Sequence, residues 1–337
     1  MTCVRAPWDR RLVVAIAGTC AIGAMLCGTL ALASAQAGDY PARQIQVIVP
    51  FPAGGSADYF ARSIFNRLAP AIGQPIVIEN KAGAGGIIGA KTVIAAPPDG
   101  YTLLVSAIAS VLVPPHLSTP PAFDARKDLT PVTRIGTVPA VLVVRPSLGI
   151  KTLAEFLAYA RANPGKLNLA TSGAGTISHL TGELLMREAG IKIVPVHYRG
   201  APPAVTDLLG DHADFMFSDA PFFLEHIKAR KLLPLAVGTP ERSPFLPDVP
   251  STAELGYPAI IASNTYSLFG PPGMPAGIVS KLNDFALKEL RAPELREAFS
   301  TQAATPAGAT PGDFAAQIRA EADRWLPIVK AAGIKAD

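Results

Sequence analysis

The sequence holds only three cysteines, Cys3, Cys20 and Cys27, all within its first 27 residues. The rest of the chain therefore offers no disulfide, no thiolate nucleophile and no cysteine-based metal site. Histidine is scarce as well: His116, His179, His197, His212 and His226 show no metal-ligand spacing. Charged residues make up only 17% of the chain, and no basic run interleaves with aromatics, so the footprint of a nucleic-acid-binding protein is missing. Nucleotide motifs fail too. Counting from Gly83 puts Ile88, and counting from Gly173 puts Ser178, where a dinucleotide fingerprint needs its last small residue, and no G-x-x-x-x-G-K-[ST] loop occurs. No G-x-S-x-G elbow exists: Ser56 is flanked at two residues by Gly54 and Asp58, and Ser172 by Ala170 and Ala174. The expectation is a chain without catalytic residues, metal or cofactor. A hydrolase pairing Ser172 with His179, seven residues on, is the enzymatic alternative.

What is present is a large apolar fraction, 49% of 337 residues, enough for a well-buried core. The 33 prolines and 29 glycines have no collagen-like period and fall between apolar segments, which punctuates the chain into many short elements. The N-terminus reads as an export signal over residues 1–37. Arg5, Arg10 and Arg11 precede an apolar run from Leu12 to about Leu32, and "ASAQAG" then offers small-residue cleavage sites after Ala35 or Ala37. Arg10-Arg11 also suits a twin-arginine signal, so export by the Sec or the Tat route is expected. The competing reading is an uncleaved anchor, because the run approaches the ~20 residues of a spanning helix. Removing this segment takes away three arginines and one aspartate, and the formal charge falls from +4 to +2.

From Tyr40 onward strands and helices alternate. "QIQVIVP", "PIVIEN" and "YTLLVSA" read as strands with helices at 57–71 and 86–96 between them, which implies parallel pairing with right-handed crossovers. A proline-rich stretch, 114–128, breaks the rhythm. "TVPAVLVVRP" then reads as a long buried strand, and Thr152 with Glu155 as a capping box opening a helix that "NPG" ends. The alternation restarts with strand "LNLAT", a helix over 176–189, strand "KIVPVHY", helix "APPAVTDLLG", strand "ADFMFS", a helix near 221–230 and strand "LLPLAVG". After "AIIASNTYSLFGPPG" only helices are expected. The last of these has Thr310 as N-cap, Pro311 at its first position, Phe314, Ile318, Trp325 and Val329 as its core stripe, and a kink at Pro327. The fold class expected is α/β: two doubly wound domains around a ligand cleft, with the C-terminal helices returning to cover the first.

Three glycine-rich corners stand out: "PFPAGGSAD" at 50–58, "NKAGAGGIIGA" at 80–90 and "TSGAGTISHL" at 171–180. The first and third lie between a strand and a helix, where free backbone N–H groups and a helix dipole suit a carboxylate or phosphate. One such corner in each half suggests a clamp. The middle corner lacks such a partner, and its glycines read as structural.

With these residues in place, the chain resembles the extracytoplasmic solute receptors of tripartite tricarboxylate transporters, the Bug family. Eight motifs in order between Tyr40 and about Lys335 carry the resemblance: "VPFPAGGSAD", "NKAGAGGIIGA", "PPDGYTLL", "NPGKLNLATSGAGTISHL", "VHYRGAPPAVTDLLG", "ERSPFLPDVPSTAELGYP", "GMPAGIVSKLN" and "RWLPIVKAAGIK". The resemblance implies a type II periplasmic binding fold, with one domain formed by 38–138 plus 262–337 and the other by 139–261. It also implies a periplasmic monomer that captures a small carboxylate, often through ordered water, and passes it to membrane permease subunits or, alternatively, to a sensor. The ligand-binding residues implied are Phe51, Ala53, Gly54, Gly55, Ser56, Asp58, Ser106, Ser172, Gly173, Ala174, Gly175, Thr176, His179, Tyr198 and Asp219. Two departures matter: where the family has aspartate after "MF" this chain has Ser218 followed by Asp219, and Thr265 stands where a tryptophan is frequent. Asp219 is expected either to face the cleft and favour an amino or hydroxyl group, or to cap a helix.

Overall fold

The computed structural model describes residues 40–334. The export signal expected over 1–37, and Lys335 of the terminal motif, lie outside the described residues. Residues 43–334 belong to one compact unit and residues 40–42 to another.

The first apolar runs form the strands expected of them: β1 (Ile45–Val49), β2 (Ile76–Asn80) and β3 (Thr102–Ala107), with β1 parallel to both neighbours. Between β1 and β2 lies α1 (Ser56–Ile72). It opens at Gly55 with Asp58 in its first turn, ends at left-handed Gly73, and buries Ala57, Phe60, Ala61, Ile64, Phe65 and Leu68 at helical spacing. The crossover from β2 to β3 is shorter than expected, a 3₁₀ turn at Ala84–Gly86 followed by α2 (Ile87–Ile94). The proline-rich stretch is ordered: α3 (Ile108–Leu112) leads to a 3₁₀ turn at Pro114–Leu117, and Asp124 caps α4 (Ala125–Asp128).

β4 (Thr130–Val144) starts seven residues before the predicted strand. Polar Thr130, Thr133 and Arg134 mask its first half in the sequence. The cap expected at α5 (Leu153–Ala162) forms, with Thr152 Oγ1 accepting from the Glu155 amide, but the Glu155 side chain accepts from the Lys151 amide (2.7 Å), one residue before the partner a capping box requires. Then follow β5 (Asn168–Thr171), α6 (Ile177–Ala189), β6 (Val194–His197), α7 (Ala201–Leu209) and β7 (Phe215–Asp219), with β5 parallel to β6 and β7. The helix predicted near 221–230 contracts to a 3₁₀ turn and α8 (Leu224–Lys228), and β8 (Leu233–Val237) runs antiparallel to β4 instead of extending the parallel series. The return segment is β9 (Ser263–Gly270), followed by α9 (Ala276–Leu290) and α10 (Pro293–Ser300). A two-residue strand that was not expected, β10 (Thr305–Pro306), pairs with β4, and α11 (Pro311–Ala332) continues past Pro327.

One sheet runs in the order β2-β1-β3-β9-β4-β7-β5-β6, and β4 exchanges partners along its length. From Thr130 to Pro139 it pairs with β9, whereas from Ala140 to Val144 it pairs with β7. The core follows the same plan. Ile48, Leu104 and Phe269 from one half of the sheet pack with Phe314, Ile318, Trp325 and Val329, so α11 does return to the strands that open the chain. Phe156, Leu169, Phe215, Phe217 and Leu235 form a cluster over the other half. Each fully buried side chain of this size stabilises the fold by about 1.5–3 kcal/mol relative to exposure.

Candidate functional site

A cavity opens at the carboxyl ends of the strands, the place where an open α/β sheet binds ligands. After β1 it is lined by Phe51, Pro52, Gly55, Ser56 and Ala57; after β3 by Ala107 and Ser110; after β5 by Ser172, Thr176 and Ile177; and after β6 by Ala201 and Pro202. Ser218, Asp219 and Phe222 close it from β7, and Asn264 and Tyr266 from β9. The first turns of α1, α6 and α7 thus converge on one space. α1 and α6 bring backbone N–H groups that have no partner within their own helix, while α7, with Pro202 and Pro203 in its first turn, adds chiefly its positive dipole end.

The first corner is held by Asp58, which does not line the cavity. Its buried carboxylate accepts from the Gly54 amide (3.1 Å), Arg62 Nε (3.0 Å) and Asn80 Nδ2 (3.1 Å), and Asn80 Nδ2 also bonds the Phe51 carbonyl (3.0 Å). Burial alone raises the Asp58 pKa, but the bonds from Arg62, Gly54 and Asn80 outweigh it and hold the group below its ordinary 3.8. Gly54 takes φ +79 in this turn, so a residue with a Cβ is strained there although nothing stands within 4 Å. Gly54 and Ala53 are exposed, outside the cavity wall.

The third corner spends most of its amides on its own side chains. Ser172 N–H donates to Ser178 Oγ (2.8 Å), Gly173 N–H to Thr171 Oγ1 (3.3 Å) and Gly175 N–H to His179 Nδ1 (3.1 Å). Since Nδ1 accepts, the imidazole hydrogen sits on Nε2, 3.4 Å from Glu183 Oε1. His179 therefore braces the turn, packed edge-to-face on His197 at 4.5 Å, and the Ser172 hydroxyl is met by Ser178 rather than by a base. Gly173, Ala174 and Tyr198 line a neighbouring cleft, where Tyr198 donates to Asp207 (2.8 Å); burial and that carboxylate push the Tyr198 pKa up to about 12. The middle corner has a partner after all: a Cβ on Gly85 would lie 3.2 Å from the Ala174 carbonyl oxygen and 3.1 Å from Pro114 Cβ, so its bare backbone meets the third corner.

Of the residues implied by the resemblance, Phe51, Gly55, Ser56, Ser172, Thr176 and Asp219 line the cavity together. Ser106 does not. It pairs with Ser267 across β3 and β9, its hydroxyl buried without a partner, and strand alternation turns it away from the cavity that its neighbour Ala107 lines.

Sequence reading missed the group around Asp219. This residue is 1% exposed, and its Oδ2 accepts from the Tyr266 hydroxyl and lies 3.5 Å from Asn264 Nδ2; both partners are 5% exposed. Burial pushes the Asp219 pKa up to about 6, against the opposing pull of the bond from Tyr266, of the nearby Ser56 hydroxyl and of Asn264. Asp219 stands opposite Ala140, where β4 exchanges partners. Tyr266 stacks on Phe60 at 4.9 Å and stands opposite Gly136, whose Cβ, if it had one, would lie 2.4 Å from the Phe60 ring. The signal that could have exposed this group is the polar alternation of Asn264 and Tyr266 in an apolar return segment.

Comparison with known proteins places these features in a group. Residues 60–334 match the family model described as the tripartite tricarboxylate transporter family receptor. The chain is 39% identical over 316 residues to the protein BugT of Bordetella pertussis, covering 93% of this chain and 97% of that one. Among solved structures it is similar to Rpa4515 of R. palustris with adipate (TM-score 0.84, 33% identity, 88% of this chain and 99% of that one). It is also similar to MatC of Rhodopseudomonas palustris with bound malate (TM-score 0.81, 32% identity, 86% and 100%).

Proposed function

Since the chain belongs to the tripartite tricarboxylate transporter receptor family, we propose that it is a periplasmic receptor that holds a small organic carboxylate in this cavity and passes it to membrane permease subunits. The observation that carries this reading is the convergence of three helix N-termini on one cavity. A carboxylate placed there meets unpaired N–H groups and three dipole ends, each worth about 0.3–1 kcal/mol and more where partly buried. Adipate and malate, bound by the two similar proteins, are small carboxylates.

In this reading the loops Phe51–Asp58 and Ser172–His179 face each other from two lobes, 38–138 plus 262–337 and 139–261. The lobes close about the point where β4 changes partners. Bridging water extends the reach of backbone donors to the ligand. The receptor acts as a monomer and is exported by its first 37 residues. Mass spectrometry of protein recovered from the periplasm is expected to show a chain beginning at Gln36 or Gly38; an intact Met1 there would count against removal of the signal.

The direct test is thermal unfolding with a panel of small carboxylates and their uncharged amides. Saturation at about 100 times Kd adds roughly 2.7 kcal/mol to the folded state, enough to raise the midpoint by a few degrees. At least one acid is expected to give this shift and its amide none. Gly173→Val should cost tenfold or more in affinity while the protein still folds, because Gly173 takes φ +131 beside the Tyr198 carbonyl and Gly85. A panel in which no acid outperforms its amide overturns the proposal.

A further inference from the structure

Asp219 is the one formally charged residue among the described residues that line the cavity. Its Oδ2 is taken up by Tyr266 and Asn264, but Oδ1 is buried with no hydrogen-bond partner. Ser56 Oγ, at the first residue of α1, faces the Asp219–Tyr266 pair, yet it too makes no hydrogen bond of normal geometry. The groups that face the carboxylate are therefore Tyr266 and Asn264 from β9 and Ser56 from α1; no basic side chain is among them. A buried carboxylate with an idle acceptor and no counter-charge is costly to keep. Among the described residues no group of three His, Cys, Asp or Glu side chains is placed to hold a metal ion. Ser56 can supply a neutral donor at most, so the counter-charge is left to the ligand.

We infer that Asp219 determines the ligand class of this cavity, and that it takes the ammonium group of an α-amino acid whose carboxylate sits at the helix N-termini. The inference rests on the carboxylate-receptor reading above. An ammonium group donates to Oδ1 and neutralises the carboxylate, whereas a hydroxyl does only the first. Ser56 belongs to the first turn of α1 and also faces Asp219, so acceptor and donor subsites adjoin as the two groups of an α-amino acid do. With its pKa near 6, Asp219 is mainly ionised at neutral pH and able to accept. A purely anionic ligand brings a second negative charge beside the first.

The test is calorimetric titration of the exported protein with matched triads at pH 7.5: aspartate, malate and succinate; glutamate, 2-hydroxyglutarate and glutarate; phenylalanine, phenyllactate and 3-phenylpropionate. In the triad that fits, the amino acid is expected to bind at least tenfold more tightly than the unsubstituted acid, with the hydroxy acid between them. Asp219→Asn should erase that advantage by weakening the amino acid at least tenfold, and should strengthen the unsubstituted acid, whose charge no longer meets a second negative one. Should this variant fail to fold, the natural protein serves alone: its preference for the amino acid should shrink as pH falls from 7 to 5 and Asp219 takes up a proton. An unsubstituted or hydroxy acid that binds as tightly as its amino acid at pH 7.5 overturns the inference and leaves the carboxylate receptor standing. Silence from every member of every triad overturns both.

Discussion

Asp219→Asn protein is expected to melt up to a few degrees above the natural protein at pH 7.5 without ligand, even though it loses a residue of the cavity wall. The gap between a folded pKa of about 6 and the 3.8 of a free aspartate corresponds to roughly 3 kcal/mol. The folded value is the higher one, so the contribution of this group to stability is intact below pH 3.8 and is lost as pH rises through about 6. Asparagine keeps the shape and an acceptor for Tyr266 but buries an amide without a partner, which costs about 1–3 kcal/mol. A net gain of up to about 2 kcal/mol remains, equivalent to as much as a few degrees. Melting curves at pH 4 and 7.5 check the sign: the advantage of asparagine should appear at the higher pH and vanish or reverse at the lower. A variant that melts below the natural protein at both would show that the buried charge is already compensated. Stability given up at a ligand site is a familiar trade against function.

Asp58→Ala is expected to cost about 2–4 kcal/mol of stability and more than tenfold in ligand affinity. Three donors, Gly54 N–H, Arg62 and Asn80, lose one shared acceptor, and two of them sit in the turn or strand that shapes the first corner. Arg62 is nearly half exposed and returns to water, so its share is the smallest. The pH dependence runs opposite to that of Asp219. The folded pKa of Asp58 is depressed, so its stabilisation is present above 3.8 and fades only as pH falls through a value below that. Urea unfolding at pH 7 and pH 3 reads both effects; a loss under 1 kcal/mol at pH 7 would remove Asp58 as the organiser of the corner.

Local signals carried the sequence reading a long way. The glycine turn before α1, the Thr152 cap and the Thr310 cap each lie within a few neighbouring residues, and each forms where its chemistry demands. The antiparallel placement of β8 and the early start of β4 depend on pairing between residues far apart in sequence, which no local pattern encodes. The same divide runs through the site. Phe51, Gly55 and Ser56 announce themselves in one short motif, while Tyr266 reaches Asp219 across 47 positions through two strand pairings with β4. Ser106 shows how small the margin is, since the strand's alternation gives the cavity wall to the next residue, Ala107.

Gly136 gives the site an independence that its sequence position hides. By leaving out a side chain it admits the Phe60 ring, which backs Tyr266 face-on while Phe299 meets it edge-on at 5.0 Å. The tyrosine is thus fixed from behind by Phe60 and Phe299, which lie outside the cavity wall, and its hydroxyl looks toward position 219. Frame and reader are separate parts. If Asp219 reads the ligand as inferred above, a change at 218 or 219 would alter the preference in one mutational step, because the aromatic residues behind Tyr266 are already anchored elsewhere.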